Sequence, residues 1–245
     1  TGTTVNRGIL KVYGGTMYIN TSNKNNNCIE NYATVDITGG TYIANKGSDG
    51  IGVYTLGNKK GASMNISGNI TIQMNNNTGA GIYNEGLLNA KGASASSQSL
   101  KITSKSHGIV TANNDNTAIS KVYYATVTAS TCIQSGNFSS TEDTYGSTEI
   151  YESTLIRSDS NGVTAISTHH TLTSSKAKYT DFLSIYDCTH DNLKFSGFVV
   201  EARKDSTGYW AKAYNVKPYT NYQVKFTTTS GTYNKSVIGD SSGEE

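Results

Sequence analysis

Val35-Asp36-Ile37-Thr38-Gly39-Gly40 is the stretch on which the fold turns. Apolar and polar side chains alternate along it, as in a strand with one buried face, and it ends on glycines that accept a sharp bend. The same phrase occurs as Leu10-Lys11-Val12-Tyr13-Gly14-Gly15, as Met64-Asn65-Ile66-Ser67-Gly68-Asn69 and, degraded, as Leu88-Asn89-Ala90-Lys91-Gly92. The leading glycines are 25, 29 and 24 residues apart.

A second phrase runs between these, a small residue followed by Ile or Val: Cys28-Ile29, Gly52-Val53, Gly81-Ile82, Gly108-Ile109, Cys132-Ile133 and, less clearly, Ala165-Ile166. Its branched residues recur at steps of 24, 29, 27, 24 and 33. The two phrases alternate in fixed order, and a five-residue insertion, Gly57-Asn58-Lys59-Lys60-Gly61, would account for the one long interval. A period near 24, built of short alternating strands with Gly or Asn corners, is what a β-solenoid coil requires. Each coil turns through about three strands and stacks on the last at roughly 4.8 Å. Val35, Ile37, Met64, Ile66, Ile70 and Ile72 are expected to point inward, with Asp36, Asn65, Thr71 and Gln73 outward. About seven coils are expected, roughly 30 Å tall in all at that spacing. The fold class is therefore all-β, with neither Leu-rich repeat spacing nor amphipathic helices.

The remaining composition agrees. Of 245 residues 35% are hydrophobic and only 16% charged, yet 17 Tyr and abundant Val, Ile and Thr argue against a disordered chain. A net charge of +2, scattered along the chain, gives no footprint for nucleic acid. No apolar run approaches the roughly 20 residues of a membrane span. Cys28, Cys132 and Cys188 form no CxxC and are expected as buried thiols. Residues 1–190 are expected to form the solenoid and 191–239 a small antiparallel β unit. The tail, 240–245, reads as a flexible polar linker, compatible with a longer multidomain chain or a filament.

The spacing resembles the right-handed parallel β-helix superfamily, which holds pectate-lyase-like enzymes, phage tailspikes and bacterial surface adhesins. Ile37-Thr38-Gly39-Gly40-Thr41-Tyr42-Ile43 is similar to the Gly-Gly-Thr-Tyr repeats of bacterial surface proteins. The resemblance covers residues 1 to about 185. It implies architecture more than activity. Val216-Lys217-Pro218-Tyr219-Thr220-Asn221-Tyr222-Gln223-Val224-Lys225-Phe226 resembles the corner and a late strand of a fibronectin type III or immunoglobulin-like sandwich, and also carbohydrate-binding sandwich modules. A cap that covers the end of the solenoid is the other reading of this segment.

Ser106-His107-Gly108-Ile109 resembles the Gly-His-Gly strand of polygalacturonases, but paired aspartates, which such hydrolysis needs, do not accompany it. Asp36, Asp49, Asp115 and Asp159 are isolated, whereas a calcium ion wants several oxygen ligands together. Tyr186-Asp187-Cys188-Thr189-His190-Asp191 is the densest group of potential ligands and is read as a polar junction; His169-His170 is read as surface. Tyr209, Trp210, Tyr214 and Tyr219 are the candidate ligand-binding residues, an aromatic platform for sugar rings, with core packing as the alternative. No metal site and no cofactor is expected. The function expected is an extracellular or cell-surface structural or adhesive β-helix module, bacterial in type and not catalytic, with glycans or host and cell-surface proteins as partners. A polysaccharide lyase or hydrolase, or a non-catalytic glycan-binding module, is the alternative.

Overall fold

Alternation in Val35-Asp36-Ile37 becomes the strand Thr34–Ile37, with Val35 and Ile37 fully buried between flanking strands. In the computed structural model of the chain every regular element among the described residues is a strand. The structure describes residues 3–21, 27–46, 54–114, 117–138, 143–144, 146–167, 182–190, 194–216, 218–228 and 231–239. Among the described residues the strands wind into a parallel β-solenoid whose three sheets hold eight, nine and seven strands, the last of the nine being antiparallel. The first sheet begins with Thr4–Asn6, the second with Ile9–Val12 and the third with Thr16–Thr21. No helix long and apolar enough to cross a membrane occurs among the described residues.

Five successive turns, from Thr4–Asn6 through Ala125–Ala129, visit the three sheets in unbroken order, against the seven expected. Regularity is lost where a short hairpin, Asn137–Phe138 with Asp143–Thr144, interrupts the turn after Thr131–Ser135. Beyond it the sheets continue with less even connections. Parallel pairing runs on past residue 190, to Phe195–Ser196 in the first sheet and Val199–Asp205 in the second. Gly208–Tyr214 then folds back antiparallel on Val199–Asp205, and Asn221–Thr228 pairs antiparallel with Gly231–Ile238. The C-terminal part is thus two antiparallel pairs.

The phrase ending in glycine sets the second sheet as expected. Leu10, Val35, Met64 and Leu88 lie in register, and so do Val12, Ile37, Ile66 and Ala90. The latter column continues through Val122, Ile150 and Ile185 and ends on Glu201. Burying each Ile in such a column contributes about 1.5–3 kcal/mol.

The first sheet corrects the other phrase. Ile29 is in register with Leu56, Ile82, Ile109, Ile133 and Ala165. Thr55-Leu56 therefore takes the place expected of Gly52-Val53, which lies outside the described residues, and Thr164-Ala165 that of Ala165-Ile166. Gly57 and Asn58 belong to the strand Tyr54–Asn58 and are no insertion. From Asn31 to Val35, and from Asn84 to Leu88, the corner takes four residues; from Asn58 to Met64 it takes six. Two extra residues in the turn at Lys59-Lys60-Gly61 replace the expected five.

These corners carry a buried amide ladder. The Asn6 Nδ2 donates to Asn31 Oδ1 at 2.7 Å, Asn31 to Asn58 at 2.8 Å, and Asn58 to Asn84 at 2.8 Å. Asn84 passes the chain to Ser120 Oγ at 2.9 Å, and Thr111, Thr148 and Ser135 extend it as hydroxyls. Stacked amides thus satisfy one another where the chain turns away from the sheet.

The small residue ahead of the branched one has a steric cause. A Cβ on Gly108 would stand 2.4 Å from Val127 Cγ1 and 2.5 Å from the Cys132 carbonyl oxygen. Gly108→Ala is expected to cost about 2 kcal/mol through overpacking, read as a lower urea midpoint. Gly8→Ala, where an added Cβ meets nothing within 4 Å, should leave the midpoint nearly unchanged.

Candidate functional site

Alternation along Gly208–Tyr214 splits the four aromatic residues expected to form one platform. Trp210 and Tyr214 share the face of Glu201 and Arg203, whereas Tyr209 lies on the opposite face, with Lys204. The Lys204 ammonium sits 5.3 Å from the Tyr209 ring centroid, and the Arg203 guanidinium 5.9 Å from that of Trp210. Tyr219 follows in a turn, 78% exposed, with its N–H bonded to the Gly239 carbonyl. Trp210 and Tyr214 share a face but stand four residues apart along one strand.

Their face is organised by Glu201, which the sequence reading passed over. Its carboxylate accepts from Arg203 Nε at 2.8 Å and from the Tyr214 hydroxyl at 2.8 Å, and lies 3.1 Å from His190 Nε2. His190 Nε2 is also 2.6 Å from an Arg203 terminal nitrogen. Phe195 packs edge-on against Tyr214, with centroids 4.6 Å apart. The cluster sits where the apolar column of the second sheet ends, and its groups bond to each other. His190 thus belongs to the polar junction expected of Tyr186–Asp191; Asp191 lies outside the described residues.

Burial alone would raise the Glu201 pKa, but hydrogen bonds from His190, Arg203 and Tyr214 outweigh it and lower it from 4.5 to about 2. A carboxyl more acidic folded than unfolded contributes stability that is fully present above its unfolded pKa. That contribution is lost as pH falls through the folded value. Stability is therefore expected to decline between pH 4.5 and 2, and Glu201→Gln should flatten this part of the curve, as measured by thermal unfolding across that range.

On the solenoid flank, His107 Nδ1 bonds to Ser106 Oγ at 2.8 Å, and burial lowers its pKa against a hydrogen bond to Gln134, which raises it. Asp36 accepts from Asn65 Nδ2 at 2.8 Å, at a shallow groove of roughly 290 Å³ that Lys11, Tyr13 and Ser67 also line. Asp159 caps its own turn through the Asn161 N–H. Asp49, Asp115, His169 and His170 lie outside the described residues. Among those described, no group of three or more His, Cys, Asp or Glu could hold a metal ion. Cys28, Cys132 and Cys188 are buried thiols outside any disulfide, and burial pushes the Cys188 thiol up to about 12.

One aromatic array escaped the sequence reading. Tyr123, Tyr151 and Tyr186 are in register on the outer face of the second sheet. Their rings stack with centroids 4.6 and 4.5 Å apart and planes within 7° and 11°. The Tyr151 hydroxyl donates to Glu149, which also pairs with Lys121 at 3.4 Å.

Comparison of the chain with protein-family models, with curated proteins and with solved structures finds no match.

Proposed function

We propose that the chain is an extracellular or cell-surface structural and adhesive module, a pectate-lyase-like right-handed β-helix of the bacterial adhesin type, without catalysis. The observation that carries this reading is the outer column of the third sheet. Thr16, Thr41, Thr71, Lys101, Thr126 and Thr154 lie in register along it, a line of hydroxyls with one ammonium. Hydrolysis of a polysaccharide needs two carboxyl groups within about 10 Å of each other. On the outer face of the second sheet the corresponding column is Lys11, Asp36, Asn65, Asn89, Lys121 and Glu149, in which acids are separated and paired with amides or ammonium.

Non-catalytic glycan binding is the second reading, favoured by the exposed rings of Tyr209 and Trp210. The test is to incubate the chain with a panel of polysaccharides and follow reducing ends and unsaturated products, with cell-surface adhesion measured in parallel. Adhesion without product release is expected. Turnover of any polysaccharide would overturn the scaffold reading.

A further inference from the structure

The tyrosine stack of the second sheet ends abruptly, and we propose that its open end is a binding site for a pyranose ring. The next residue in register after Tyr186 is Ala202, and the one after that is Ala211. Neither reaches out far enough to cover a ring. At the other end Lys91 is in register with Tyr123, and Tyr124 packs edge-on against Tyr123, centroids 6.2 Å apart. One terminal ring is therefore covered by its neighbours. At Tyr186, no ring among the described residues stacks on the face away from Tyr151.

The missing rung has the dimensions of a ring. Successive tyrosines stand 4.5–4.6 Å apart along the solenoid, so a six-membered ring above Ala202 would continue the stack at the same spacing. Tyr186, Ala202 and Ala211 are each partly exposed. The surroundings select a sugar over a purely apolar ring. Tyr209 and Lys204, two residues along the paired strands on the same face, flank the place, and both are exposed. Asp187 follows Tyr186, exposed, its Oδ1 held by the Lys204 N–H at 2.6 Å. A pyranose offers a flat C–H face to the tyrosine, whose ring face is electron-rich, and hydroxyls at its rim to the carboxylate and the ammonium. This site differs from a platform of all four C-terminal aromatics, because it uses Tyr186 and takes only Tyr209 from that set. The proposal goes beyond the scaffold reading, which stands or falls on turnover and not on binding.

The test is titration of the full chain with methyl pyranosides and short oligosaccharides of glucose, galactose, mannose and N-acetylglucosamine, followed by calorimetry and by tyrosine resonances. Binding of at least one of these, with the Tyr186 ring signals shifted, is expected. Tyr186→Ala should weaken it roughly tenfold or more, and Tyr186→Phe should retain it. Ala202→Tyr completes the stack with the protein's own ring. It should abolish binding with no fall in melting temperature, which separates loss of the site from loss of the fold. No binding of any sugar, or binding that Ala202→Tyr leaves unchanged, would overturn the proposal. So would self-association that Ala202→Tyr removes, since that would put a second copy's side chain in the vacant place.

Discussion

Asn58→Ala is expected to lower the unfolding free energy by about 3 kcal/mol, measured as a shift of the urea transition at unchanged slope. The Asn58 side chain is fully buried in the middle of the amide ladder. Its Nδ2 reaches Asn84 Oδ1 at 2.8 Å and the Leu87 carbonyl at 3.0 Å, while its Oδ1 accepts from Asn31 at 2.8 Å. Alanine removes these three bonds at once, leaving Asn31 Nδ2 its carbonyl acceptors at Ala33 and Ser63 and Asn84 Oδ1 the Gly86 N–H. Each buried hydrogen bond lost costs about 1 kcal/mol. Position along the ladder should matter. Asn6 has one ladder neighbour, so Asn6→Ala should cost roughly half as much. Asn58→Asp keeps the shape but loses the donor and adds a buried charge, and should be no better than alanine. A loss below about 1 kcal/mol for Asn58→Ala would mean that the turn residues, and not the ladder, hold this corner.

That ladder also explains how much of the fold was legible. The phrase ending in glycine could be read because the second sheet has one buried and one exposed face, and period-two alternation reports that directly. The first sheet gives a poorer signal. Thr55, Leu56 and Tyr54 are all buried, so inward and outward positions in that strand do not differ in polarity, and Gly52-Val53 passed for the repeat. The residues that mark the first sheet are polar: Asn6, Asn31, Asn58 and Asn84, at steps of 25, 27 and 26. They were hidden among the many Asn of this chain, and an apolar template cannot see them. The stacked tyrosines were lost for another reason. Steps of 28 and 35 between Tyr123, Tyr151 and Tyr186 span the hairpin at Asn137–Phe138 and a long connection, so no fixed period links them. Alternation puts Tyr209 and Trp210 on opposite faces, yet both are exposed, because what lies on each face depends on pairing with Val199–Asp205.

Glu201→Ala is expected to cost about 3 kcal/mol and to loosen one end of the molecule only. The carboxylate closes an apolar column: Ile185 precedes it in register and Lys212 follows. Its side chain is 4% exposed, while Arg203, its main partner, is 36% exposed. Removing one member of a buried pair strands the other, at about 3–5 kcal/mol; the solvent open to Arg203 puts the expectation at the lower end. The Tyr214 hydroxyl loses this acceptor, and His190 a polar neighbour, in the same step. Glu201→Leu with Arg203→Leu should recover much of the loss, because the charge is then absent and not stranded, and the column continues as hydrocarbon. A solenoid transmits such a change mainly to adjacent turns. Amide exchange should therefore accelerate across Val199–Asp205 and Gly208–Tyr214, while the turns from Thr4–Asn6 to Ala125–Ala129 keep their protection. If the double variant is no more stable than Glu201→Ala, the cluster contributes through its geometry and not through its charge. If protection falls evenly along all five regular turns, the end closed by Glu201 governs the whole stack, and the C-terminal strands act as the cap on which the other turns depend.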